Sequence, residues 1–141
     1  MAKILIADDE RGLLRTIQHI LNENGHETVE ATNGLAALEL FQTNFIDLII
    51  TDLRMPRMDG MTFLHEVRKL DSKIPIILMT AYASAEMAIE TMNDSAFVCL
   101  AKPFNVDALL NTVTCALDPV KLKALRTELP PSATDAVQRA S

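Results

Sequence analysis

The sequence predicts an α/β protein: five β-α units forming a parallel sheet with helices on both faces. Three observations carry that expectation. Short apolar runs recur, Ile4-Leu5-Ile6-Ala7, Leu48-Ile49-Ile50-Thr51, Ile76-Ile77-Leu78-Met79 and Phe97-Val98-Cys99-Leu100-Ala101, without the polar alternation of a half-exposed strand. Between them lie segments of helical period. Each run also stops at a polar residue: Asp8-Asp9, Asp52, Thr80 and Lys102. Parallel strands point the same way, so these four ends gather on one edge, where open α/β sheets bind their ligands.

The elements follow in order. After the first strand, Leu13, Leu14, Ile17, Ile20 and Leu21 keep the spacing of one helix face, and Asn24-Gly25 ends that helix. A short strand is expected around residues 26–30. Asn33-Gly34 starts a second helix bearing Leu35, Leu38 and Phe41. The third strand runs to Thr51. A loop with Met55-Pro56 leads to Asp59, the N-cap of a helix with Met61, Leu64 and Val67. Pro75 opens the fourth strand. Ser84 caps a fourth helix with Met87, Ile89 and Met92, and the fifth strand runs to Ala101. Asn105 caps a last helix carrying Val106, Leu109, Leu110, Val113 and Leu117, which Asp118-Pro119 stops. Residues 1–118 are expected to form the domain. Residues 119–141, with a short basic helix at 120–129, Pro130-Pro131 and a Ser/Ala/Thr-rich end, read as a tail or linker.

The bulk properties exclude several classes. At 141 residues, 49% hydrophobic and 23% charged, the chain has the composition of one ordinary globular domain. Its net charge of −6 disfavours direct nucleic-acid binding. That charge is uneven: residues 1–118 hold 9 Lys+Arg against 17 Asp+Glu, and residues 119–141 hold 4 against 2. No apolar stretch is long enough to span a membrane, and the opening apolar run is too short for a signal peptide. Cys99 and Cys115 read as small buried hydrophobes, and a reducing cytoplasm fits. His19, His26 and His65 lie away from the strand ends and read as structural. Met61, Met87 and Met92 have helical spacing and read as core or interface.

The strand ends carry the chemistry. Converging aspartates repel one another by roughly 4 kcal/mol per close pair at an effective dielectric near 20. Mg²⁺ offsets that: it takes one or two carboxylates, keeps several waters and accepts phosphate oxygens. Lys102 adds a point charge suited to phosphate and Thr80 a hydroxyl donor. Metal, lysine, hydroxyl and a free carboxylate make a phosphoryl-transfer site with aspartate as nucleophile. Alone, Asp8-Asp9 is more often a helix cap, Asp52 a turn residue, Thr80 a strand end and Lys102 a solvated lysine. Together at consecutive strand ends they favour a site.

These residues match a family. Asp8-Asp9, Asp52-Leu53-Arg54-Met55-Pro56-Arg57-Met58-Asp59-Gly60, Thr80-Ala81-Tyr82 and Lys102-Pro103-Phe104 resemble the receiver domain of two-component response regulators, over residues 2–118. The likeness extends to chemotaxis-type and nitrogen-regulator-type receivers. It implies the flavodoxin-like, doubly wound (βα)5 fold with strand order 2-1-3-4-5. It implies a signalling switch that catalyses only its own phosphorylation and dephosphorylation. Asp52 would take a phosphoryl group from a sensor histidine kinase or histidine phosphotransfer protein. Mg²⁺ would sit on Asp9, Asp52 and the backbone carbonyl of Arg54, with Asp8 assisting through water. Lys102 would contact the phosphoryl oxygens, with a cis peptide before Pro103. Thr80 would close onto the phosphoryl group and reposition the face of the fourth helix, fifth strand and fifth helix, which could then support a phosphorylation-dependent dimer. In the family, the positions of Arg54 and Tyr82 tune phosphoryl lifetime. Neither direct nucleic-acid binding by this domain nor a membrane segment is expected.

Two positions depart from the family's pattern. Cys99 stands where many receivers carry an aromatic coupled to the threonine, so switching would run through Phe97, Tyr82 or helix movement. Asn93-Asp94-Ser95-Ala96 stands where a Gly-Ala step is common. Two rival functions fit these residues less well. An aspartyl-phosphate phosphatase would need Asp-x-Asp on one strand, and Asp52-Leu53-Arg54 lacks the second Asp. A receiver reduced to a docking module would not need Asp9, Asp52, Thr80 and Lys102 intact. No glycine-rich nucleotide loop is present.

Overall fold

A computed structural model describes residues 2–52, 55–80 and 97–118. Five parallel strands form one sheet in the order β2-β1-β3-β4-β5: β1 Lys3–Ala7, β2 Glu27–Ala31, β3 Leu48–Asp52, β4 Ile76–Thr80 and β5 Phe97–Ala101. The expected order is the observed one. The chain forms two compact units, one ending at Ile74 and one beginning at Pro75.

In the first unit, β1 is central. Its residues Ile4 to Ala7 are fully buried, as are Leu48, Ile49 and Ile50 of β3. Both strands are apolar on both faces because both faces are covered. Helix α1, Arg11–Glu23, buries Leu14, Ile17 and Leu21, the stripe set by the sequence spacing. It ends as expected: Gly25 takes φ +86 and its amide donates to the Asn22 carbonyl. Strand β2 lies one residue later than expected, because His26 closes the helix end instead, its amide donating to the Leu21 carbonyl.

Helix α2, Gly34–Thr43, is capped by Asn33, whose side chain accepts the Ala36 amide at 2.8 Å. Its buried residues are Gly34 and Ala37, whereas Leu35 is 49% exposed and Leu38 and Phe41 are half-buried. The expected apolar face is therefore corrected. α2 packs on helix α3, Gly60–Leu70, and small residues face the crowded side. Asp59 caps α3 by accepting the Thr62 amide at 2.8 Å, and Phe63, Leu64 and Val67 are fully buried. Phe63 joins the expected Leu64 and Val67 on the buried face.

In the second unit, β4 and β5 pair in parallel from Ile76↔Phe97 to Thr80↔Ala101. The helix Val106–Ala116 is capped by Asn105, which accepts the Ala108 amide at 2.7 Å. It buries Leu109, Val113 and Ala116 but leaves Val106 49% exposed, since the first turn of the helix overhangs its packed stripe. Cys99 and Cys115 are half-buried, less enclosed than expected. The expected fourth helix from Ser84 with Met87, Ile89 and Met92, the Asn93–Ala96 step, Tyr82, Arg54 and the tail from residue 119 lie outside the described residues.

Candidate functional site

The register of the two central strands builds the site. Ala7 of β1 stands beside Thr51 of β3, so the next residues, Asp8 and Asp52, leave the sheet side by side. Asp9 follows Asp8. One carboxylate oxygen from each of Asp8, Asp9 and Asp52 lies within 4.8 Å of the others. The three sequence-predicted aspartates thus converge.

They converge in different environments. Asp8 is fully buried. Its amide donates to the Ala31 carbonyl at 3.1 Å, tying the end of β1 to the end of β2. Its Oδ1 accepts the Glu10 amide at 2.9 Å and turns the chain into α1. Asp52 is half-buried and Asp9 exposed. The side chain of Glu10, at the N-cap of α1, makes no capping hydrogen bond. Thr51, fully buried beside Asp52, satisfies its hydroxyl on the Asp52 carbonyl at 2.9 Å.

The donor set is all oxygen, anionic and open on the Asp9 side. Hard divalent cations that keep water ligands suit such a set, so the residues present fit Mg²⁺.

Past Asp52, the chain returns through a tight turn. The Met58 amide donates to the Pro56 carbonyl at 2.8 Å, and Arg57 between them takes φ +69. Met55 is buried on one side of this turn. On the other side the Gly34 amide donates to the Met58 carbonyl at 3.1 Å. The sequence pointed to Asn33-Gly34 only as a helix start; its contact with the loop after Asp52 was not legible there.

In the second unit, Thr80 closes β4 and pairs with Ala101 of β5, and half-buried Lys102 follows directly. These two predicted residues therefore leave neighbouring strands at the same end. The Lys102–Pro103 peptide is cis. Of the histidines, His26 is structural: its Nδ1 accepts the Ala2 amide at 3.2 Å, and burial lowers its pKa from the ordinary 6.5. His19 pairs with Glu23 on the surface at 3.2 Å and His65 is exposed.

A parallel sheet in this order with carboxylates at the ends of its two central strands defines a phosphoryl-accepting switch domain of the doubly wound class. The chain belongs to the response regulator receiver domains, whose family model matches residues 4–114. It is 36% identical over 111 residues to sporulation initiation phosphotransferase F of Bacillus subtilis, covering 79% of this chain and 90% of that protein. It is 41% identical over 121 residues to regulatory protein AtoC of Escherichia coli, covering 86% of this chain but 26% of the longer protein. Among solved structures it resembles the chemotaxis response regulator CheY4 of Vibrio cholerae, with a TM-score of 0.75, 33% identity, and coverage of 83% and 99% of the two chains. The chain is thus a phosphorylation-dependent receiver of two-component signalling, a class that accepts phosphoryl groups from histidine kinases or phosphotransfer proteins. Among the described residues no helix is long and apolar enough to cross a membrane.

Proposed function

We propose that Asp52 is the phosphoacceptor and that Asp8, Asp9, Asp52 and the backbone carbonyl of Arg54 form the Mg²⁺ site. The convergence of three carboxylates within 4.8 Å at the ends of β1 and β3 carries this reading. The half-buried Asp52 carboxylate attacks the phosphorus of a phosphohistidine, and the P–N bond breaks as the imidazole leaves. Buried Asp8 holds the entrance to α1 in place, while exposed Asp9 faces the incoming donor. Bound at the carboxylates, Mg²⁺ supplies positive charge against the phosphoryl oxygens. Lys102 contacts those oxygens and Thr80 donates its hydroxyl to one of them. The domain catalyses only its own phosphorylation and dephosphorylation.

Residues 1–118 are the receiver and 119–141 a tail or linker, working in the cytoplasm. The direct partner is a sensor histidine kinase or a histidine phosphotransfer protein, and the domain itself does not touch nucleic acid. Phosphorylation promotes pairing with a second copy, measured as a rise in sedimentation coefficient on treatment with beryllofluoride. The deciding experiment is intact-mass analysis after incubation with Mg²⁺ and acetyl phosphate. Wild type gains one phosphoryl group and Asp52→Asn gains none; equal labelling of both would rule out Asp52.

A further inference from the structure

We infer that Gly34, far from the acceptor in sequence, is a positioning residue for the metal site, because it clamps the loop that follows Asp52. The inference rests on the Mg²⁺ reading above and adds to it the means by which that loop is held.

The turn at residues 56–58 has the i→i+2 hydrogen bond and the positive φ of a γ-turn, a rare and strained conformation for a residue with a side chain. Such a turn persists only where its surroundings impose it. The described contacts that do so are three. Met55, before it, is buried. Asp59, after it, is fixed by capping α3. Between them, the Met58 carbonyl is held by the Gly34 amide at 3.1 Å.

That last contact needs glycine for a steric reason, since Gly34 has no positive φ to explain it. A Cβ on Gly34 would collide with the Met58 carbonyl oxygen and lie 2.8 Å from its carbonyl carbon and 2.9 Å from its Cβ. Those are mostly backbone atoms, so a side chain here cannot be absorbed by a rotamer change. It must push residues 56–58 away from α2. Only five residues separate Asp52 from Met58 in the sequence, and Arg54, whose carbonyl is the proposed fourth ligand, is among them. Displacing the clamp therefore disturbs the segment between Asp52 and Met58 on which the proposed fourth ligand depends, while Asp8 and Asp9 keep their place after β1 and Asp52 its place at the end of β3. Groups that orient metal ligands typically matter by about 10–100-fold in affinity.

Calorimetric Mg²⁺ titration of four proteins tests this, with far-UV circular dichroism and urea unfolding on each. Gly34→Ala should weaken Mg²⁺ binding by about tenfold or more. Arg57→Pro leaves α2 untouched but forbids the positive φ, so it should weaken binding comparably even if Gly34→Ala fails to fold. Glu39→Gly, in the exposed interior of α2, lowers helix stability by about 1 kcal/mol without touching the loop, and should bind as wild type does. Equal weakening by Glu39→Gly would make the effect one of general stability and overturn the inference. Binding within twofold of wild type by the folded loop variants would overturn it too, with the Mg²⁺ reading intact. A wild type that takes up no Mg²⁺ would instead bring down the metal reading, and the inference with it.

Discussion

Asp8 and Asp9 are consecutive in the chain and opposite in environment. Asp8 has no accessible surface and its Oδ1 accepts the Glu10 amide at 2.9 Å, while Asp9 is exposed. Yet a carboxylate oxygen of each lies within 4.8 Å of the other and of Asp52. Asp8 thus holds the backbone at the start of α1 as well as standing in the cluster, while Asp9 reaches solvent.

That difference separates two substitutions at Asp8. Asp8→Asn keeps an oxygen for the Glu10 amide, whereas Asp8→Ala leaves that amide without its acceptor and opens a small void. The alanine variant should be less stable than the asparagine variant by about 1–3 kcal/mol. Urea unfolding of both in chelator measures the gap, and two coincident curves would mean that the hydrogen bond contributes nothing.

Crowding of like charge makes a second prediction. In chelator at low ionic strength, Asp52→Asn should be more stable than wild type by on the order of 1 kcal/mol, because one charge leaves a group of three. Added salt should shrink the advantage by screening, and saturating Mg²⁺ should shrink it by stabilising the folded wild type. A mutant less stable than wild type in chelator would show that repulsion among the three carboxylates is not the dominant effect of the charge.

On the proposed reading, Asp9 and Lys102 have different roles and their loss should have different effects. Asp9→Ala removes a carboxylate from the cluster and should abolish both Mg²⁺ binding and phosphoryl uptake. Lys102→Ala should leave Mg²⁺ binding unchanged and weaken the response to phosphorylation. A metal titration in which both variants are equally blind would contradict this division.

His26 gives a pH dependence of known sign. Its Nδ1 accepts the Ala2 amide and burial lowers its pKa from 6.5, so the unfolded chain takes the proton more readily than the folded one. Its contribution is therefore complete above 6.5 and is lost as pH falls through that value towards the lower folded pKa. His26→Asn keeps an acceptor oxygen and cannot titrate. Between about pH 7.5 and pH 5.5 wild type should lose more stability than the variant, read as the shift in urea midpoint of each. Parallel shifts would remove His26 from the acid sensitivity of the fold.

Much of this was legible in the sequence. Unbroken apolar runs marked strands covered on both faces, and the caps Asn33, Asp59 and Asn105 marked helix starts through side-chain oxygens that reach back to the first turn. The polar residues closing each run placed the candidate site at one edge, because parallel strands share a direction. These are local signals, written in spacing and residue type. What only the tertiary structure decided depends on what each segment meets. α2 turns Gly34 and Ala37 inward and leaves Leu35 half-exposed because α3 packs against it closely. Asp8 and Asp9, alike in sequence, part company in the fold: Asp8 is buried, its amide bonded to the Ala31 carbonyl at the end of β2, and Asp9 is exposed. Gly34 reads in the chain as a helix start, and becomes a clamp only where the carbonyl of Met58, brought by a different loop, fills the space a side chain would need.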